Sequence, residues 1–162
     1  MRPVKHLIPE FERLKKRLPP GQAGTLLLPA LHRIQQDRGH IAEEDIQGLV
    51  DYLGVPRIQV DEVLSFYGML RRKAIGRCHI EVCRNVSCSM RGAERLIAKL
   101  SDLLGIRPGE TTADGRYTLA TVECLGSCGT APVMIIDGTY HENIDPDQVA
   151  ALLEALERHD RP

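Results

Sequence analysis

Aromatic residues are scarce in this sequence: among its 162 residues there is no Trp, and Phe occurs only twice. A core built on aromatic rings is therefore excluded, and aliphatic side chains must supply most of the buried surface. Hydrophobic residues still make up 43% of the chain, which is enough for an ordinary packed core and too much for a disordered protein. The length fits one domain with a generous extension, or two small domains.

Long apolar runs are also missing, and none reaches the roughly 20 residues that a membrane-spanning helix needs. The first 21 residues are charged throughout and lack the apolar stretch and small-residue cleavage site of a secretory signal. We therefore expect a cytoplasmic protein with no direct membrane insertion. Structural disulfides are uncommon in that compartment, so the five cysteines need another explanation.

The sequence has no large excess of either charge, because its formal net charge is only -1. The two halves differ, however. Residues 1–76 carry 12 Lys and Arg against 9 Asp and Glu, whereas residues 77–162 carry 9 against 13. The acidic second half, which holds all five cysteines, argues against a nucleic-acid-binding surface there.

Nucleotide-binding motifs are absent as well. No G-x-G-x-x-G follows a predicted strand, and no G-K-[ST] loop occurs. The six histidines are scattered, and no serine has a nearby His and Asp in a catalytic pattern. We therefore expect no self-contained catalytic site on this chain.

The first half, residues 1–76, is predicted to be a helical region. Ile46, Leu49, Val50 and Leu53 recur at the i, i+3, i+4, i+7 spacing of a helix that ends at Gly54. Three other segments have similar helical signals. The four predicted helices lie within residues 11–18, 28–39, 41–54 and 56–66.

The second half, residues 77–162, has a mixed pattern in the order β-α-β-β-β-α. "CHIEVC" alternates as a strand, and Asp137-Gly138 between two short β-rich segments is a strong hairpin signal. Asp145 is the predicted N-cap of the last helix. The order predicts an α/β (α+β) fold, with a small mixed sheet and helices on its face. The predicted face of its first helix comprises Leu96, Ile97, Leu100, Leu103 and Leu104.

Four cysteines form two pairs where predicted strands give way to loops: Cys83 and Cys88 as C-x4-C, and Cys124 and Cys128 as C-x3-C. A loop lets the backbone curl so that neighbouring sulfurs converge. Small flanking residues allow backbone N–H groups to approach sulfur, and such hydrogen bonds stabilise a metal-bound thiolate. Ser89 is a predicted cap of the following helix.

Three interpretations of the four cysteines compete: buried free thiols, a structural zinc site, and an iron–sulfur cluster. Zinc knuckles favour C-x2-C, which neither pair has. The two-plus-two arrangement suits the diamond-shaped core of a 2Fe–2S cluster, with one pair near each iron. Cys78 shares the parity of Ile80 and Val82, and we interpret it as a buried structural thiol.

The combined pattern resembles a known family. "VCRNVSCSMRGAE", "GIRPGETTADGRYTL" and "VECLGSCGTAPVMIIDG", preceded by "LLPALHRIQQDRGHI" in the helical half, are similar in order to the thioredoxin-like 2Fe–2S ferredoxins. Within them the sequence most resembles the small iron–sulfur subunit of the NADH-oxidising module of respiratory NADH:quinone oxidoreductase (complex I). The resemblance covers roughly residues 24 to 157.

The resemblance implies a four-helix N-terminal extension, residues 1–76, followed by a thioredoxin-like 2Fe–2S domain, residues 77–162. It implies one 2Fe–2S cluster with Cys83, Cys88, Cys124 and Cys128 as metal ligands, and an electron-transfer role. It also implies a larger flavoprotein partner that carries FMN, the NADH site and a 4Fe–4S cluster. The complex would lie peripherally on the cytoplasmic side of the inner membrane.

The resemblance leaves two questions open. Related subunits serve NAD-dependent formate dehydrogenases and multimeric hydrogenases, so the sequence does not choose among these complexes. Thioredoxin-like folds also often carry a cis-proline before the strand beside the redox loop, where this chain has Pro132. Only about 5% of X–Pro bonds are cis, so Ala131–Pro132 is left as either isomer.

A more distant alternative is an iron–sulfur regulator that binds DNA. Residues 41–66 form two predicted helices around a Gly-containing turn, as in a helix-turn-helix. The second of these helices carries Asp61 and Glu62 against Arg57, whereas a recognition helix is expected to be basic or rich in amides. We therefore predict no nucleic-acid partner.

Overall fold

The computed structural model describes residues 4–19 and 21–159, which form two compact units. The first unit extends to Ala74 and the second begins at Ile75. Within the described residues, no helix combines the length and the apolar character needed to cross a bilayer.

The first unit is helical throughout, as the sequence predicts. Within residues 4–19 and 21–74 it has four α-helices, which begin near the predicted positions, and short 3-10 turns precede the first two helices. Gly39 and Gly54 follow the second and third helices with φ of 81° and 66°, so both end the helix in the left-handed conformation that glycine adopts readily. The helices are α1 (Ile8–Lys15), α2 (Leu27–Arg38), α3 (Glu43–Leu53) and α4 (Arg57–Phe66).

Apolar side chains of these helices share one core. Phe11, Leu31 and Leu49 are fully buried there, from α1, α2 and α3 respectively. A buried carboxylate belongs to the same unit: Asp45 accepts the Ala42 N–H at 2.9 Å and the Arg38 guanidinium at 2.7 Å. Asp45 therefore caps α3 and neutralises a cation from α2.

The second unit contains a four-stranded sheet in the order β2-β1-β3-β4. The first strand pairs in parallel with β2 and antiparallel with β3, and β3 pairs antiparallel with β4. The predicted mixed sheet is thus confirmed. Its strands are β1 (Cys78–Cys83), β2 (Tyr117–Val122), β3 (Met134–Ile136) and β4 (Thr139–His141).

Among the described residues of this unit there are three α-helices: α5 (Val86–Met90), α6 (Ala93–Leu104) and α7 (Val149–His159). Leu96 and Leu100 of α6, together with Val149 of α7, pack against Ile80 and Leu119 of the sheet. Cys78 belongs to the same core, as its strand parity predicts.

The hairpin between β3 and β4 turns at Asp137 and Gly138, with φ of 47° and 84°. Positive φ at both central positions is typical of a type I′ turn, which confirms the Asp-Gly prediction. Before this hairpin, the Ala131–Pro132 peptide bond is cis.

Three local predictions are wrong. Ser89 does not cap a following helix, since it lies inside α5, where its hydroxyl donates to the Arg84 carbonyl at 2.9 Å. The next helix begins directly after Gly92, which is its N-cap and has a φ of 96°. Asp145 accepts the Asp147 N–H in a turn, and α7 begins only at Val149. Leu103, predicted to be on the buried face of α6, is 46% exposed, whereas Leu104 beside it packs against the core.

Candidate metal centre

The parallel pairing of β1 and β2 brings the two cysteine-bearing segments to one edge of the sheet. In the register of this pair, Cys83 lies opposite Val122, and both are the last residues of their strands. Cys124 follows Val122 by two residues, so both segments leave the same carboxyl edge. The Cys83 thiol contacts the Glu123 carbonyl oxygen at 3.8 Å across this edge.

The first pair, Cys83 and Cys88, is buried and held by regular structure. Cys83 ends β1, and Cys88 lies in α5; each is only 2% exposed. Asn85 is the N-cap of α5, and its side chain accepts the Val86 N–H at 2.8 Å. The sequence predicts a loop here, and the structure replaces part of it with a short helix that carries Cys88.

The second pair, Cys124 and Cys128, lies in an exposed loop. Cys124 receives the Gly126 N–H at 3.3 Å, and Cys128 opens a 3-10 turn that ends at Thr130. Gly126 has φ 79°, a left-handed conformation that glycine adopts at little cost. The loop therefore curls back so that one of its own amides points at a cysteine sulfur.

The pKa values of the Cys83 and Cys88 thiols respond to each other and to thiols of the second pair. Burial acts to raise the pKa of the Cys83 thiol, whereas the backbone N–H groups of Asn85 and Leu125 act to lower it. The Cys88 and Cys124 thiols add to the lowering, and the pKa of Cys83 lies below its ordinary value. A stabilised thiolate at this position is the form that binds metal.

Cys88 responds in the opposite direction. The pKa of its thiol is raised by burial and then by the neighbouring Cys83, and the charge of Cys128 acts in the same sense. The backbone N–H of Val133 opposes this rise by donating to the sulfur. Two thiolates so close together repel each other, and a bound cationic centre would remove that repulsion.

The donor set can be tested against the group that the resemblance implies. Within residues 4–19 and 21–159, no three His, Cys, Asp or Glu side chains surround a single point as ligands for one metal ion. A dinuclear 2Fe–2S core does not require three protein ligands around one metal ion, since each iron binds two protein thiolates. Backbone amides already point at Cys83, Cys88 and Cys124. Soft thiolates in a two-plus-two arrangement with N–H donors therefore fit a 2Fe–2S cluster.

The structure adds residues that the sequence analysis did not identify. Arg84 and Glu123, each next to a cysteine in sequence, form an ion pair at 2.7 Å. Glu142, beyond β4, accepts hydroxyl hydrogen bonds from Ser127 and Thr130 in the second cysteine loop. Adjacency to the cysteines is a signal that could have identified the first two, whereas nothing in the sequence places Glu142 near this loop.

Comparison with known proteins gives relatives for almost the whole chain. Residues 11–157 match the family described as thioredoxin-like 2Fe-2S ferredoxin. An NADH-quinone oxidoreductase subunit of Rhizobium meliloti (strain 1021) is 41% identical over 152 residues, covering 94% of this chain and 89% of that protein. NADH-quinone oxidoreductase subunit 2 of Thermus thermophilus is 38% identical over 147 residues, covering 90% of this chain and 81% of that protein.

A solved structure is also similar. An NAD+-reducing NiFe hydrogenase in its air-oxidized state matches with a TM-score of 0.69 and 26% sequence identity. The match covers 84% of this chain but only 23% of the hydrogenase chain. The similarity therefore concerns one segment of a much longer polypeptide.

Proposed function

Since this chain belongs to the thioredoxin-like 2Fe-2S ferredoxin family, we propose that Cys83, Cys88, Cys124 and Cys128 bind its one 2Fe–2S cluster. The observation that carries this assignment is the convergence of backbone N–H donors on Cys83, Cys88 and Cys124 at one sheet edge. Amides aimed at sulfur stabilise the thiolate form and raise the reduction potential of a bound cluster.

The chain functions as an electron-transfer subunit of an NADH:quinone oxidoreductase. Relatives at 38% and 41% identity that span most of its length carry that name. When bound, the 2Fe–2S cluster supplies one-electron transfer. The four cysteines would hold it, with Cys83 and Cys88 packed among apolar side chains and Cys124 and Cys128 exposed.

The two proposed ligand pairs differ in exposure, which indicates the face through which electrons would pass. Cys83 and Cys88 pack with Ala93, Ala131 and Val133 in a small apolar cluster, whereas the second pair faces outward. Electrons would therefore enter and leave through the face that carries Cys124 and Cys128. We assign to that side a larger flavoprotein partner with FMN, the NADH site and a 4Fe–4S cluster.

The location of the assembly follows from the same proposal. We place it in the cytoplasm, peripheral to the cytoplasmic side of the inner membrane and held there by other subunits. Fractionation of cells that produce the chain with and without its partner subunits tests this placement. Recovery of the chain in the membrane fraction only when the partners are present is the expected result, and membrane binding by the isolated chain would contradict it.

Metal and sulfide analysis of the full chain tests the cluster and its ligands. After anaerobic reconstitution with ferrous iron and sulfide, we expect two irons and two sulfides per chain, as the family name states. Reduction with dithionite should give a rhombic S = 1/2 electron paramagnetic resonance (EPR) signal. One zinc per chain with no labile sulfide would overturn the assignment.

The second candidate is the same role in a different complex. The likeness to an NAD+-reducing NiFe hydrogenase is the observation that favours it, and an NAD-dependent formate dehydrogenase would be equivalent. Affinity purification of the tagged chain from its own cells, followed by mass spectrometry, separates these complexes. Recovery of NADH:quinone oxidoreductase subunits with the chain would support the first proposal. Recovery of nickel- or molybdenum-containing subunits would favour the second candidate instead.

A further inference from the structure

The exposed cysteine loop is held by residues from outside it, and these come from the strand β4 and the two residues that follow. The Tyr140 hydroxyl donates to the Leu125 carbonyl at 3.0 Å. The Asn143 N–H donates to the Thr130 carbonyl at 2.7 Å. Between these two residues in the chain lies Glu142, whose carboxylate is the only charged group among the three.

Glu142 contacts the loop on both sides of Cys128. One of its carboxylate oxygens accepts from the Thr130 hydroxyl at 2.7 Å and also from the Ser127 hydroxyl. Each hydroxyl has a single hydrogen, so donation by both to one oxygen requires an acceptor with free lone pairs. An ionised carboxylate meets this requirement, and both hydroxyl donors lower the pKa of Glu142.

The loop needs such support because its own backbone is permissive. Gly126 and Gly129 flank Ser127 and Cys128, and an added Cβ at either glycine would meet no heavy atom within 4 Å. Glycine has the widest choice of backbone conformations. Within the loop, Cys128 is supported by one short turn, in which the Thr130 N–H donates to the Ser127 carbonyl at 3.2 Å, and by the Ser127 and Thr130 hydroxyls, which lie 2.8 Å apart. By contrast, β1 and α5 hold the first cysteine pair through regular hydrogen bonding.

We infer that Glu142 is a positioning residue for the 2Fe–2S site, and that it sets the place of Cys128 through the Ser127 and Thr130 hydroxyls. The inference rests on the proposed function, since it assumes that Cys128 is a ligand. It assigns to Glu142 an effect on how tightly the cluster is held and on the symmetry of its environment. Neither effect requires any contact between Glu142 and the metal.

Two substitutions at one position test this inference in the full chain. Glu142→Ala removes both hydroxyl contacts, whereas Glu142→Gln removes the charge but keeps an oxygen that accepts from both hydroxyls. Loss of iron to a chelator should become about 10- to 100-fold faster in Glu142→Ala, the range typical of lost outer-shell contacts to metal ligands. Glu142→Gln should stay near the wild-type rate.

The control is Asp102→Asn, which removes another exposed carboxylate, from the far part of α6. It should leave both the rate of iron loss and the EPR signal unchanged. Glu142→Ala should alter the rhombicity of the EPR signal at a temperature where its circular dichroism shows a folded chain. A purely structural role would not change the signal of folded protein.

Thr130→Val removes the hydroxyl that donates to Glu142. This variant keeps the inference testable if Glu142→Ala does not fold. It should speed iron loss in the same direction. Because the two variants share the Thr130–Glu142 contact, the double variant should speed iron loss by less than the product of the two single effects. Wild-type iron loss and EPR in Glu142→Ala would overturn the inference. So would equal effects of the Gln and Ala variants, which would point to charge alone. A wild-type chain without iron and sulfide would instead refute the proposed function itself.

Discussion

The guanidinium of Arg84 donates through Nε and one Nη to a single carboxylate oxygen of Glu123, at 3.0 and 2.7 Å. Arg84 follows Cys83 and Glu123 precedes Cys124. The ion pair therefore joins the two cysteine segments at positions next to these cysteines in the sequence. A backbone hydrogen bond also connects the two segments, since the Arg84 N–H donates to the Val122 carbonyl at 2.9 Å.

Charge reversal at this pair should weaken the hold on the cluster. Arg84→Glu places two carboxylates side by side, whereas the swapped double variant Arg84→Glu/Glu123→Arg restores an opposite pair. We expect faster iron loss to a chelator in the single variant and recovery in the double variant, with both differences reduced by salt.

The same pair should contribute little to folding. Both side chains are more than half exposed, at 53% and 75%, and exposed ion pairs contribute about 0–1 kcal/mol. Arg84→Gln should therefore lower the free energy of unfolding in urea by less than about 1 kcal/mol. A larger loss would mean that the pair supports the sheet rather than the site.

Removing single cysteines should separate ligands from core thiols. Cys124→Ala should abolish assembly of the native cluster, measured as iron and sulfide per chain. Cys78→Ala should keep the cluster, because Cys78 packs with Ile80 and Val82 in the core. Cys78→Ala should only lower the free energy of unfolding, by about 1 kcal/mol, as is typical of a single core substitution. A full cluster in Cys124→Ala would contradict the ligand assignment.

A methyl group at Gly76 should destabilise the second unit. Its Cβ would lie 2.8 Å from the Arg116 carbonyl oxygen and 2.9 Å from two backbone carbons, and main-chain atoms of a paired strand do not move aside easily. We expect Gly76→Ala to lower the free energy of unfolding by about 1–3 kcal/mol, as overpacked sites do.

Gly68→Ala is the matched control for this measurement. Nothing lies within 4 Å of its Cβ position, and its φ is not in the left-handed region. Stability should stay the same or rise by about 0.4–1 kcal/mol, because Ala restricts the unfolded chain. Equal losses in the two variants would show that the close approach at Gly76 is not what matters.

Tyr52 should titrate late. Burial, followed by a hydrogen bond to Glu12 at 2.7 Å, raises the pKa of Tyr52 from 10.0 to about 12. A raised pKa in the folded state stabilises the protein below pH 10, and this contribution is lost as the pH rises through about 12. Ultraviolet titration of wild type minus Tyr52→Phe measures the pKa of Tyr52. A midpoint near 10 would show that neither the burial nor the hydrogen bond is maintained in solution.

Much of the architecture could be predicted from the sequence because its signals are local. The Asp137-Gly138 turn requires positive φ at two successive residues, and Gly39 and Gly54 end their helices for a related reason. Each of these conclusions depends on a few neighbouring residues. The predicted mixed sheet likewise follows from the order of its elements.

The predictions are wrong where tertiary contacts decide the outcome. The five residues of α5 are too few to show a helical period, so the local pattern at Ser89 indicates a cap rather than a helix interior. The contact between Glu142 and the Cys128 loop depends on how the β3–β4 hairpin folds back, which no local pattern encodes. The predicted stripe of α6 includes Leu103 because periodicity does not show which positions at its margin are covered: Leu104 packs against the core, whereas Leu103 is 46% exposed.

The parallel register of β1 and β2 has a consequence for the order of events in biosynthesis. Cys83 and Cys124 are separated by 41 positions along the chain, and they become neighbours only after α6 has crossed over and β2 has paired beside β1. With the proposed ligands, a nascent chain that has not yet exposed β2 offers only the first of the two cysteine pairs. If these four cysteines are the ligands, cluster assembly requires the pairing of β1 and β2 that brings the second cysteine pair beside the first.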